Sequence, residues 1–484
     1  MKRLLAILLI FTLAFSIPIG FNTLKTEGKV KIVKVNKKNF PDKIFRKRLK
    51  KCKEYKNGKI KTKVDSIKLS GVKNYKGLER FSYINYLSIN SSVGKDIIIE
   101  GKNKTDIGYL YIKSTKNKTI TIKKFKLEEI DGDYNNHVKL VLDNDGFITK
   151  EDGFDISGRF NGLKVTNCNT VTTISIIGYK LKNLEVSNCS SLKNIWCGEC
   201  DLYNISFDNL KKIKSVDCSG NKIKGLDFIR NYKNIKELDV ADNKLGNYDY
   251  SKFSSLKKLN CSNTGITKFD LSKNTALVEL ECGKNPFTSI DISKNVNLKV
   301  FDLCKSVVNN IDLSKLNKLK ELDLNKNKYL NIVDLSNNKK LINIEVTKNT
   351  KLTCLILPNS KALEFVNCEN NKLKTLDVSK SKELYSLSCN GNKLEKLNIS
   401  KNKKLSFLDC YKNKLRKLNL SKNKKLYYLD CSHNKLRKLN LSKNKKLDEL
   451  YCKHNKIKKL DIRNNKHLAR RDIKCDKKVK IIKK

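Results

Sequence analysis

Proline is nearly absent from this chain of 484 residues: only Pro18, Pro41, Pro286 and Pro358 occur, so no proline-rich linker separates domains. Histidine is as scarce, with His137, His433, His454 and His467 alone, and no Ser, His and Asp set recurs around them. Neither a phosphate-binding glycine loop nor a paired-carboxylate site stands out, so the sequence offers no catalytic residues. Acidic residues are outnumbered, 49 Asp and Glu against 103 Lys and Arg, for a formal charge of +54. Residues 401–484 hold 30 Lys or Arg against 7 Asp or Glu. A field of that sign concentrates polyanions such as nucleic acid, anionic wall polymers or sulfated glycans. Joint enrichment in Lys, Asn and Ile is also what an AT-rich genome produces, but the field exists whatever its origin.

Long apolar runs are missing too, except at the start. Lys2 and Arg3 precede an apolar stretch over residues 4–15, with Ala14 and Ser16 as small residues near its end. This pattern predicts a secretory signal over residues 1–20, or an uncleaved anchor if the apolar character continuing through Ile17, Ile19 and Phe21 is counted. No Cys follows that run as a lipid anchor would require, no later segment is long enough to cross a bilayer, and no LPxTG-type sorting motif follows the repeats.

What the chain has in abundance is periodicity. From Leu163 through Leu184, Ile205 and Leu226 to Leu418, Leu439 and Leu460, an apolar residue recurs every 21 or 22 positions, and a second column from Ile174 to Leu450 keeps the same register. A fixed period of this length predicts coils that bury their apolar face only against neighbouring coils, a repeat solenoid with its function on an extended surface. In the coil at residues 405–425, Leu405, Leu408 and Cys410 point inward from one short strand and Leu415, Leu418 and Leu420 from a second. The expected fold is therefore mainly β, with two short parallel strands per coil. At about 4.8 Å per coil, the regular coils would extend roughly 70 Å.

Other positions follow from the same register. Three residues after the inward Cys position stands Asn, as in Asn371, Asn392, Asn413, Asn434 and Asn455, where its amide can pair backbone groups that a bend leaves unsatisfied. Sixteen cysteines in an exported chain would suggest disulfides, but Cys389, Cys410, Cys431 and Cys452 share one slot with Val240, Leu303, Leu324 and Val346. A slot that accepts Val and Leu is a small apolar site, so these are expected to be core thiols. Cys197 and Cys200, in WCGEC, fall in the strand slot and the Asn slot respectively, and no second CxxC completes a zinc site. His433 and His454 stack without a third ligand, and the calcium-loop-like residues 141–152 have Val141 where the first ligand belongs. The expectation is no metal and no cofactor.

Upstream, residues 36–63 form a helical N-terminal cap, with Phe40, Ile44, Phe45 and Leu49 on one face after Pro41. Residues 64–162 are irregular coils, residues 163–468 the regular repeats, and the basic residues 469–484 cover the last coil. A solenoid needs such ends because an open coil exposes its interior.

The pattern LxxLxCxxNxLxxLxLSKNxx resembles the 21-residue bacterial leucine-rich repeats of secreted and cell-surface proteins related to internalins, and the preceding NFPDKIFRKRL resembles their N-terminal cap. The resemblance implies an exported, non-enzymatic binding or adhesion module at the cell surface or outside it. Relatives often carry an acidic, EF-hand-like loop after that helix; here Lys53, Tyr55 and Val64 stand where oxygen ligands are needed, so calcium binding is lost.

The surface feature that singles out a site is aromatic. Tyr385, Phe407, Tyr411, Tyr427, Tyr428 and Tyr451, with Phe365 before them, fall at outward or near-outward positions of the Cys-bearing strands, and exposed aromatics on a rigid sheet are binding anchors. Lys412 and Lys453 flank them and would steer an acidic partner. A protein or glycan ligand, anionic or not, is expected to bind there to a monomer. The alternative is a polyanion-binding wall or nucleic-acid-associated protein held by the basic C-terminal coils. The acidic stripe at Asp217, Asp239, Glu281, Asp302, Asp323, Glu345, Asp409 and Asp430 is expected to be a solvated face offsetting nearby lysines.

Overall fold

A computed structural model describes residues 30–91, 96–101, 105–114, 119–134, 139–143, 154–158, 160–178, 180–468 and 473–483. The expected signal segment, most of the calcium-like loop at 141–152, and residues 469–472 of the C-terminal cap lie outside them.

The chain is a β-solenoid of parallel strands with little helix. One ladder of nineteen strands runs from Lys63–Ser70 to Glu449–Tyr451, each strand pairing with its counterpart one coil on. Register is strict: Leu387, Leu408, Leu429 and Leu450 are successive Cα partners, so the inward column is continuous. Within one coil Leu405, Leu408, Cys410, Leu415 and Leu420 are all buried. At about 1.5 to 3 kcal/mol for each fully buried aliphatic side chain, stacking against the neighbouring coils is the main source of stability.

Among the described residues two strands per coil are the rule only up to Asp208. A second ladder of six strands runs from Ile97–Glu100 to Asn204–Asp208, and the apparent irregularity of residues 97–156 is this alternation between two ladders. Beyond Asp208 the return segment is mostly not a strand, apart from the pairs Ile332–Asp334 with Cys354–Ile356 and Lys459–Asp461 with Lys480–Ile482. Most return segments there carry the motif Asx-x-Ser. The side chains of Asp270, Asp291, Asp377, Asn398, Asn419 and Asn440 each accept a hydrogen bond from the Ser amide two residues on, at 2.8 to 3.1 Å. That local bond turns the chain at the end of the return segment, and Asp334 makes the same bond to the Ser336 amide at 2.8 Å at the end of its three-residue strand.

Asparagine joins the coils at both bends. Asn413 Nδ2 donates to the carbonyls of Cys389 (3.0 Å) and Cys410 (3.2 Å), while its Oδ1 accepts from the amide of Leu394 at 3.0 Å. Asn371, Asn392, Asn434 and Asn455 repeat the arrangement. Cys200 takes that slot one coil before Asn221, the first asparagine of the row, its thiol meeting the carbonyls of Ile176 and Gly198 at 3.4 and 3.2 Å. A second row, which the inward-slot reasoning missed, sits at the other bend: Asn423 Nδ2 bridges the carbonyls of Ile399 (3.0 Å) and Asn402 (2.8 Å), and Asn402, Asn444 and Asn465 do the same on their own coils. Its signal was the Asn of each LSKN.

All sixteen cysteines are free thiols. Cys389, Cys410, Cys431 and Cys452 are buried in the strand slot, and burial pushes the Cys452 thiol up to about 12. A thiol held that far from its anion is a poor nucleophile.

The N-terminal end begins with a three-stranded sheet, Ile32–Lys34 against the hairpin Tyr55–Lys56 and Lys59–Lys61, whose turn uses the left-handed Asn57 and Gly58. The loop expected to be a lost calcium site is this hairpin, for which Asn57-Gly58 was the signal. Between them the helix Lys43–Leu49 is capped by Asp42, which accepts from the Phe45 amide at 2.8 Å. Phe40, Phe45 and Leu49 are buried, but Ile44 is exposed: in a helix of seven residues it falls one step round from the face that packs on the first coil. At the other end Lys474 bridges to Tyr451, and Val479 is buried.

Replacing Asn413 with Leu should lower stability by about 1 to 3 kcal/mol, because the buried Leu394 amide loses its acceptor and the carbonyls of Cys389 and Cys410 each lose one of their two asparagine donors. Replacing Cys410 with Val should change it by less than about 1.5 kcal/mol, as an apolar swap of similar volume. Thermal melts read both, and melting of the wild type should not respond to reducing agent.

Candidate ligand-binding face

Each short strand has one inward and two outward residues, so the outward ones stack into columns at coil spacing. In the C-terminal coils the first-position column runs Phe365, Ser386, Phe407, Tyr428 and Glu449. Phe407 and Tyr428 stack face to face, with centroids 4.3 Å apart and planes 7° from parallel. Tyr451 continues the contact at 5.7 Å from Tyr428, and Phe365 meets Tyr385 at 6.0 Å. Tyr385 and Tyr427, just before their strands, are 45% and 48% exposed, whereas Phe407, Tyr411, Tyr428 and Tyr451 are half-buried by one another and by the turns. The Tyr427 hydroxyl donates to Asp448 at 2.8 Å.

Along one edge of this face the bend positions Lys412, His433 and His454 have left-handed backbones, at φ of 54° to 56°. The two imidazoles lie 4.0 Å apart and Tyr411 packs edge-on against His433 at 5.0 Å. Among the described residues no group of three His, Cys, Asp or Glu side chains could hold a metal ion. Lys412 and Lys453 are exposed on this edge.

Most cations of the same coils are elsewhere. Arg416, Lys417, Arg437, Lys438, Lys458 and Lys459 extend from the return segments, away from the aromatic columns. Positive charge and aromatics share these coils but not one face, which sequence register alone did not separate.

The acidic stripe differs from a solvated face paired with lysines. Its carboxylates are half-buried and stacked on one another, coil over coil. Burial, and then the neighbouring carboxylate, push Asp239, Glu281, Asp323 and Glu345 up to about 7. Asp409 is pushed up to about 6, by burial first and Asp430 after it. Glu237, Glu279 and Glu321 stand two residues before members of this stripe, with Glu279 paired to Lys258 at 3.1 Å. In a protein of +54 the strand face is thus the acidic, aromatic side.

No protein-family model matches this chain, and no curated protein matches it. Among solved structures it is similar to the functional domain of InlJ from Listeria monocytogenes, described as including a cysteine ladder: 32% identity, covering 48% of this chain and 51% of that one, TM-score 0.45. The match thus spans about half the length of that protein. It is also similar to a leucine-rich-repeat protein of Leptospira interrogans (19% identity, 63% and 90% covered, TM-score 0.43) and to the internalin InlF of Listeria monocytogenes (20%, 55% and 81%, TM-score 0.44).

The carboxylate stripe sets a pH dependence. A carboxylate whose pKa is higher folded than unfolded binds its proton first in the folded state, so stability falls as pH rises from about 4 through about 7. The Asx-turn carboxylates Asp270, Asp291 and Asp377 are held below their ordinary value by the Ser amides they accept from, and titrate below that window. Melting should therefore occur at higher temperature at pH 5 than at pH 7.5, and the double substitution Asp323→Asn, Glu345→Gln should flatten the difference.

Proposed function

We propose that this leucine-rich-repeat solenoid is a non-catalytic binding or adhesion module that acts outside the cell as a monomer, and that its strand face in the C-terminal coils docks a protein or glycan ligand. The observation that carries the reading is the aromatic cluster Phe407, Tyr428 and Tyr451, in contact over three coils across the two outward columns and flanked by the exposed rings of Tyr385 and Tyr427. Rigid aromatic surface binds at low entropic cost and suits apolar side chains and sugar rings alike. On this otherwise acidic face the exposed Lys412 and Lys453 place positive charge at one edge, where they steer an acidic group of the partner, and Tyr411 widens the platform. Export is supported by Lys2 and Arg3 ahead of the apolar residues 4–15; among the described residues no helix is long and apolar enough to cross a membrane.

The test is a comparison of wild type with a Tyr427→Ala, Tyr428→Ala variant on protein and glycan arrays at two salt concentrations. The variant should lose about 2 kcal/mol or more of binding without unfolding the solenoid, because neither ring fills an inward slot. Lys412→Glu with Lys453→Glu should mainly slow association and flatten its salt dependence. Equal binding by all folded variants would move the ligand to other coils, those before Leu163 first.

A further inference from the structure

The last coils carry a second surface with different chemistry. A groove of about 780 Å³ lies on their return segments, lined by Arg437, Lys438, Lys456, Lys458 and Lys459. Asp461 also borders it, but Arg463 already holds that carboxylate, its guanidinium donating at 2.7 and 3.1 Å and keeping the acid down at about 2. Among the described residues none of the five groove cations has a carboxylate within ion-pair reach, in contrast to Lys404, which pairs with Glu383. Five like charges converge on one trough without internal neutralisation. A polyanion that reaches several of them at once gains from each.

The neutral lining narrows the class of anion. Asn440, Ser442 and Asn464 offer amide and hydroxyl groups suited to hydroxyl-bearing units. Among the described residues no aromatic ring lines the groove, whereas proteins that hold single-stranded nucleic acid supply rings on which bases stack. The aromatics of these coils, Phe407, Tyr428 and Tyr451, are on the strand face. Four of the five cations are lysines, point charges that read a flexible backbone without demanding one phosphate geometry.

We propose that the return face of the last coils binds a linear polyol-phosphate polymer, seated in the groove across Arg437, Lys438, Lys456, Lys458 and Lys459. The site is independent of the strand-face reading, since it uses other residues on another side of the coil. It gives the solenoid two simultaneous attachments: an anionic matrix behind and a ligand in front.

The probe is a short fluorescent poly(glycerol phosphate), titrated by anisotropy over a series of NaCl concentrations. Affinity should fall with salt, with a log–log slope of about 3 to 4, as expected when about five cations displace condensed counter-ions. The variant Arg437→Gln, Lys438→Gln, Lys458→Gln, Lys459→Gln should lose at least about tenfold in affinity with unchanged melting, since Gln keeps much of the aliphatic stem. A charge-matched control, Lys211→Gln, Lys212→Gln, Lys233→Gln, Lys244→Gln, should lose less than about threefold, because screening confines the effect of distant charges. Equal losses in the two variants would show a diffuse field and overturn the groove. Single-stranded DNA, which has the same number of backbone bonds between phosphates, should bind more weakly; equal or tighter binding would overturn the assignment to a polymer without bases. The Tyr427→Ala, Tyr428→Ala variant should bind the polymer as wild type does, so loss of ligand at the strand face and loss of polymer at the return face are separable results.

Discussion

Each coil bends where its strand ends, and the bend turns backbone carbonyls inward with no strand partner to receive them. An asparagine amide on the next coil receives them instead: Asn413 spans the carbonyls of Cys389 and Cys410, one from the coil before and one from its own. A buried carbonyl without a donor would cost about 1 to 3 kcal/mol, and the same demand arises once per coil, so the remedy recurs with the period. The ladder also fixes register. Only when each coil sits directly on the last do the Leu, Cys and Asn columns coincide, and only then do the outward residues form columns as well.

Those outward columns are how a repetitive interior yields a differentiated exterior. Because neighbouring strands stand about 4.8 Å apart, a side chain repeated at one outward position is held within reach of its copies. Rings respond by stacking, as Phe407 and Tyr428 do. Carboxylates cannot stack without cost, so Asp239, Glu281, Asp323 and Glu345 hold protons into the neutral range. Lysines on the return segments repeat at coil spacing too, and those of the last coils line one groove. One stacking rule thus produces an aromatic patch, a titrating acidic stripe and a cationic groove, each on its own part of the coil.

The early and late coils differ in how they return. Up to Asp208 the return segment forms strands of four or five residues that pair along a second ladder; after it, Asx-x-Ser turns stand in place of most of them. The change leaves the Cys-bearing ladder untouched, since its register depends on the strand and its Asn, not on how the chain comes back. It does shape the back of the molecule: the turns of the late coils, Asn440 to Ser442 among them, are part of the groove wall.

Period, inward columns, the first Asn row and the apolar nature of the Cys slot were legible in the chain because each is a one-dimensional regularity. An inward slot accepts a narrow set of residues, and Cys410 standing where Val346 and Leu324 stand declares the slot's chemistry without coordinates. Asn57-Gly58 and the Asn of LSKN were equally present in the sequence, as a hairpin turn and a second bridging row, but their meaning depended on knowing which carbonyls lay opposite. The exposure of Ile44 was decided by the direction in which a short helix meets the first coil. Charge was the least legible property. Residues 401–484 announced a strong positive field, yet Lys412 and Lys417 are five positions apart in a coil and stand on different sides of it. A sequence lists charges along a line, and only the closed turn of the backbone decides which of them share a face.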